Sequence, residues 1–160
     1  EADWRNRQEQ EQPFSPLIYG CTLGLVLMAP QWWGCTGLGD WDLAGVERGG
    51  FVRLLSQEDD LHQVAGEATA SLCQPMNLQL WLARTQLHPL DADDRLEALI
   101  LSTDGVRKSC AIDADYLQLC VGAAGLKGAA ELEQGLARIT AEGSGDDVSL
   151  TVASRFIDHK

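Results

Sequence analysis

The sequence predicts an α+β fold built on antiparallel sheets. Apolar residues alternate with period two in hairpin-like pairs over the first third of the chain. Helical spacing sets in only after residue 113. A last alternating run, Val148 to Ser154, closes the pattern. Strands early, helices late and a final strand give segregated helices and sheets, not βαβ units.

The elements follow in order. Residues Glu1 to Gln12 are polar with one Trp, and fit the end of a helix stopped by Pro13 and Pro16. From Leu17 to Ala29 every odd position is apolar, which predicts a strand with one face fully buried. Pro30-Gln31 turns the chain, and Trp32 to Leu38 reads as the returning strand. Leu43–Glu47 and Phe51–Leu55 form a second hairpin around Arg48-Gly49-Gly50. Ser56 to Asp94 reads as a long irregular connection with Trp81 and Leu82 as anchors. Leu96 to Thr103 is a buried strand that ends in a tight Asp104-Gly105 turn. Asp113 or Asp115 caps a helix through Val121. Ala129, Leu132, Leu136 and Ile139 lie on one face of a second helix that Gly143 stops.

Composition narrows the function classes. The 160 residues allow one domain with a hydrophobic core. Asp and Glu outnumber Lys and Arg by 24 to 12, a formal charge of −12. That balance argues against binding the nucleic-acid backbone, which needs a basic surface. The apolar run Leu17 to Pro30 falls short of the ~20 residues that span a bilayer, so no membrane partner is expected. The chain does not open like a signal peptide, and its five cysteines form no C-x-x-C pair. Buried, reduced thiols and a cytoplasmic location are the expectation. The three histidines do not stand at zinc-ligand spacing from those cysteines.

Two Asp-bearing turns touch the ends of predicted buried strands: Ser102-Thr103-Asp104-Gly105 and Gly143-Ser144-Gly145-Asp146-Asp147. If the two strands are antiparallel neighbours, the end of one lies beside the start of the other. Their carboxylates then meet at one sheet edge, where paired oxygens on rigid strand ends suit Mg²⁺ or Mn²⁺. On spacing alone, Asp-Gly after a strand is most often only a turn, and Asp-Asp before a strand often only a cap or a solvated loop. Other features carry less. Gly37-Leu38-Gly39-Asp40 has no following helix and is not a dinucleotide fingerprint. Trp32-Trp33 reads as core and sheet-edge packing. A Cys–His nucleophile has no local motif behind it.

Four segments, in order, resemble the metal-dependent protein phosphatase family, protein phosphatase type 2C, in its compact bacterial branch. They are Tyr19-Gly20-Cys21-Thr22-Leu23, Gly37-Leu38-Gly39-Asp40, Leu99-Ile100-Leu101-Ser102-Thr103-Asp104-Gly105-Val106 and Gly143-Ser144-Gly145-Asp146-Asp147-Val148-Ser149-Leu150. Trp4 and Pro13-Phe14 add to the likeness, which runs from Trp4 to Ala153. The resemblance implies an α/β/β/α arrangement, an antiparallel β-sandwich flanked by helical layers and incomplete at the N-terminus. It implies a binuclear Mn²⁺ or Mg²⁺ centre, a phosphorylated protein as substrate, and hydrolysis of phosphoserine and phosphothreonine by metal-activated water. Asp104 matches one metal-ligand aspartate and Asp146 a second. Asp147 stands where the family often has Asn, and the register leaves Asp146 against Asp147 open. Asp40 matches a turn aspartate taken to be structural.

The family's front segment carries an Asp-Gly-x-Gly-type turn whose Asp bridges both metals, with an acidic residue upstream. Nothing before Gly20 matches either, and the bulky Trp41 stands where a small residue is usual. On this reading residues 1–160 form a single domain, the C-terminal portion of a longer catalytic domain, with little activity alone. The competing reading is a pseudophosphatase or regulatory binding module that keeps the fold without a competent metal centre. A plain acidic interaction domain is the third.

Overall fold

Period-two alternation is realised as two antiparallel sheets. In the computed structural model the described residues are 20–56, 72–73, 77–91, 95–125, 129–143, 145 and 147–155. The expected helix end before Pro13 and the start of the strand at Leu17 lie outside them. One sheet has the order β1 (Leu23–Met28), β2 (Trp32–Leu38) and β5 (Gln86–Pro89). The other has the order β4 (Phe51–Leu54), β3 (Trp41–Glu47), β6 (Leu96–Thr103) and β7 (Leu150–Ser154). Four helices accompany them among the described residues: α1 (Asn77–Ala83), α2 (Asp104–Lys108), α3 (Asp113–Gly125) and α4 (Ala129–Glu142).

The two sheets stack, and their facing side chains form one core. Trp33 and Cys35 of β2 meet Trp41 and Leu43 of β3 and Leu96 and Leu99 of β6, with Val26 and Met28 of β1 packed alongside. The opposite face of the second sheet forms another core. There Ala44, Val46, Ala98 and Ile100 pack against Val106 of α2 and Tyr116 and Cys120 of α3, with Leu136 of α4 at the margin. Fully burying an aliphatic or aromatic side chain of this kind stabilises by roughly 1.5–3 kcal/mol, so these two layers hold the fold. The layers are therefore sheet, sheet and helices. On the far side α1 adjoins β2, while Leu25, Leu27 and Leu87 of the first sheet remain exposed.

Two local details set the geometry. Between β3 and β6 the register slips: Val46 pairs with Ala98 and Glu47 with Leu96. Glu97 is thus an extra residue, a β-bulge, which turns Leu96 to the inter-sheet core although Ala98, two residues on, faces the helices. The β3–β4 loop, Arg48-Gly49-Gly50, has φ of 87° at Gly49 and 81° at Gly50. Side chains rarely adopt that conformation, and two glycines make the short loop possible.

The structure corrects several boundaries. The presumed irregular stretch Ser56 to Asp94 contains α1 and β5, and Leu82 is 62% exposed rather than an anchor. Among the described residues the first strand begins at Leu23, β3 begins already at Trp41, and α3 runs on to Gly125. Asp104-Gly105 opens a short helix instead of a tight turn. Burial of the thiols holds for Cys35 and Cys120 but not for Cys21, which is exposed, and Cys73 and Cys110 are half-buried. Among the described residues no helix is long and apolar enough to cross a membrane.

Candidate active site

The strands ending at the two Asp-bearing segments are antiparallel neighbours. Register places Ser102 of β6 opposite Leu150 of β7. Thr103 laces the edge together. Its N–H donates to the Ser149 carbonyl at 3.0 Å. Its hydroxyl Oγ1 accepts from the Ser149 N–H at 3.0 Å and donates to the Asp147 carbonyl at 3.5 Å. Thr103 is also the N-cap residue of α2, but its hydroxyl makes no cap bond. The hydroxyl serves the neighbouring segment, which fixes the chain on either side of Asp104.

Asp104 is the first residue of α2, with its side chain 34% exposed. The Lys108 ammonium donates to its Oδ2 at 2.6 Å, from one helical turn further on. Of the other sequence-predicted acids, Asp147 is exposed and its carbonyl is held by Thr103. Asp146 lies outside the described residues. Asp40 sits in the link between β2 and β3, whose Gly39 carbonyl accepts from Arg84 Nη1 at 2.6 Å.

Behind Asp104 lies a charge cluster that local sequence reading missed. Arg107 of α2 has only 18% of its side chain exposed. Its Nε and Nη2 donate to Oδ1 and Oδ2 of Asp113, both at 2.9 Å. Its Nη1 donates to Oδ1 of the buried Asp42 at 3.2 Å. One guanidinium therefore ties α2 to β3 and to the start of α3, in the fork geometry that makes Arg–carboxylate pairs strong. The spacing from Asp104 identifies Lys108 once α2 is known to be a helix. Nothing local announces Arg107 and Asp42, which stand 65 positions apart.

The Arg107 hydrogen bonds hold the Asp113 carboxyl below its ordinary value of 3.8. A carboxyl lowered in the folded state stabilises fully above the unfolded pKa and loses that contribution as pH falls through the folded one. Acid unfolding of Asp113→Asn, followed by circular dichroism, should therefore show a shallower loss of stability below pH 3.8 than the parent does. Coincident acid profiles would remove Asp113 from the clamp.

Deeper still, Ser102 Oγ and the Tyr116 hydroxyl are 3.1 Å apart in a buried pair. Burial raises the Tyr116 hydroxyl well above its usual range and pushes the Cys120 thiol up to about 11. Both stay protonated near neutral pH, so Cys120 is no nucleophile. His88 stacks on Trp33 with ring centroids 4.2 Å apart, where it packs.

No three His, Cys, Asp or Glu side chains gather at one place among the described residues. Asp104, the first residue of α2, offers carboxylate oxygen of the kind a hard divalent cation takes and already holds a cationic group.

A family model described as protein phosphatase 2C matches residues 1–139 of the chain. Residues 140–160, with Asp146 and Asp147, lie beyond that match. No curated protein matches the chain. Among solved structures, a bacterial serine phosphatase is similar with a TM-score of 0.55 and 16% identity, over 84% of this chain and 57% of that one. The serine/threonine phosphatase PstP/Ppp of Mycobacterium tuberculosis is similar with a TM-score of 0.54 and 18% identity, over 84% of this chain and 60% of that one. At these identities the likeness is one of fold. The chain spans little more than half the length of these structures.

Proposed function

The chain belongs to the protein phosphatase 2C family, and from that premise we propose that it is the C-terminal portion of a metal-dependent serine/threonine protein phosphatase domain. The observation that carries this reading is the antiparallel β6–β7 edge, where Thr103 bonds across to Asp147 and Ser149 and Asp104 follows directly. The share of the solved phosphatases that the chain spans supports its being a portion.

The proposed substrate is a phosphoserine or phosphothreonine side chain in a protein. In the net reaction water adds to phosphorus and the serine or threonine oxygen leaves with a proton. Asp104 is a metal ligand in this reading. Asp146 is a second, on the resemblance of the segment Gly143 to Leu150 to the family's terminal motif. Mn²⁺ or Mg²⁺, when bound, supplies a water of lowered pKa and offsets charge on the phosphate oxygens. The residues of this chain hold and orient. Thr103 fixes the strand end, and Arg107 fixes α2 against β3 and α3. Asp104 is thereby presented in one geometry, the pre-organisation that catalysis by positioning requires. Among the described residues none is placed to act as a general acid.

The test is a Mn²⁺ titration of the full-length protein that contains this chain, followed by thermal unfolding. A cation that binds only the folded state stabilises by about 2.7 kcal/mol at one hundred times its dissociation constant. A rise in melting temperature at millimolar Mn²⁺ is expected, with Ca²⁺ less effective. No rise would count against the phosphatase reading and favour a regulatory module that keeps the fold without the metal.

A further inference from the structure

The short helix α2, which opens on Asp104, is met at both ends by the chain that follows α4. At its start, Thr103 bonds to Ser149 through its N–H and its hydroxyl, and to the Asp147 carbonyl. At its end stands Ser109, the C-cap residue, whose N–H and Oγ donate to the Gly105 carbonyl at 3.1 and 2.7 Å. Gly143, the residue after α4, lies against this serine. A Cβ on Gly143 would overlap the Ser109 Cβ and come within 2.6 Å of the Ser109 Oγ and the Ile139 carbonyl. Real Cβ atoms do not approach so closely, so a side chain at 143 forces a shift. Room, not backbone conformation, requires the glycine here. Gly143 and Asp147 stand four positions apart, and four residues reach at most about 14 Å. A shift at the Ser109 contact therefore has little chain to absorb it before Thr103.

We propose that Gly143 is a positioning residue for the Asp104 edge. Seated on Ser109 without a side chain, it lets the chain after α4 grip α2 at both ends, and so sets where Asp147 and Ser149 meet Thr103. The Ser109 contact and the Thr103 bonds act as one clasp. Arg107 fixes α2 to β3 and α3, and the clasp fixes it to the segment that enters β7. The clasp itself depends on no activity; its consequence for rate rests on the reading of this edge as a phosphatase site.

Native-state amide exchange on the full chain tests it, comparing the parent with Gly143→Ala, Ser109→Ala and Ser109→Leu. Ala and Leu at position 109 both lose the hydroxyl bond to Gly105, and only Leu adds bulk against Gly143. It presses on the contact from the side away from Ile139. In Ser109→Leu and Gly143→Ala the Ser149 and Thr103 amides should exchange roughly tenfold faster, the order that overpacking gives when its cost falls on local opening. Ser109→Ala should match the parent, and amides within the β3–β6 ladder should keep their rates in all four proteins. Unchanged exchange at Ser149 would overturn the clasp. So would equal effects of Ala and Leu at 109, or a general speeding across the ladder. In the full-length protein that contains this chain, Ser109→Leu should lower kcat for a phosphothreonine peptide and leave KM near the parent's. A loosened Ser149 with kcat unchanged would overturn the positioning role and leave the phosphatase reading standing. A parent that hydrolyses nothing would overturn that reading, and the exchange rates would still decide the clasp.

Discussion

Asp104→Asn should abolish Mn²⁺-dependent hydrolysis of a phosphothreonine peptide by the phosphatase domain containing this chain, with no loss of fold. Asn keeps the shape of the side chain and gives up the charge that binds a cation. Loss of an outer partner of a metal ligand typically costs about 10–100-fold, so loss of the ligand itself should exceed that. Stability should hardly move, because the pair given up with Lys108 is exposed and worth about 0.3–0.5 kcal/mol. The urea midpoint and the initial rate are the two measurements. A variant that keeps its rate would sink the assignment of Asp104. One that loses rate and fold together would make Asp104 a structural residue.

Arg107→Ala should show the reverse pattern, a large loss of stability that begins in the metal-free protein. Asp42 is buried, and its carboxylate accepts from Arg107 Nη1 at 3.2 Å. Removing the guanidinium leaves that charge without its arginine, and breaking a buried ion pair from one side typically costs about 3–5 kcal/mol. Asp113→Ala removes only the exposed acid and should cost far less than Arg107→Ala. The double variant Arg107→Met with Asp42→Leu should recover part of the loss, since it removes both charges at once. Urea unfolding of the four proteins reads this out. A cost below about 1 kcal/mol for Arg107→Ala would mean that the clamp carries little of the fold.

What was legible in the sequence divides along physical lines. β2 and β6 were read to the residue, since each is a run whose burial follows from its own apolar content. The adjacency of β6 and β7 was readable as a condition, and the register meets it. β5 was not readable: Gln86-Leu87-His88-Pro89 has no apolar alternation, and its strand form comes from pairing with β2. α1 was missed because its apolar residues do not mark a buried stripe, and Leu78 and Leu82 face solvent. The start of β3 was placed two residues late because an acid at position 42 argues against a buried strand. Asp42 is held there by Arg107, a partner distant in sequence. The site was legible to the same degree. Asp104 stood out because a motif surrounds it, whereas the side chains that hold its helix come from three separate segments.

The link between β2 and β3 has a dynamic consequence. β2 belongs to one sheet and β3 to the other, so Gly39-Asp40 carries the chain across the stack in two residues. A tether that short leaves the layers no room to part as separate bodies. Arg84 reinforces it, lying 4.5 Å from the centre of the Trp41 ring while it donates to the Gly39 carbonyl. The inter-sheet core should therefore open in a single event, with amide protons in β2 and β3 exchanging at the same rate under native conditions.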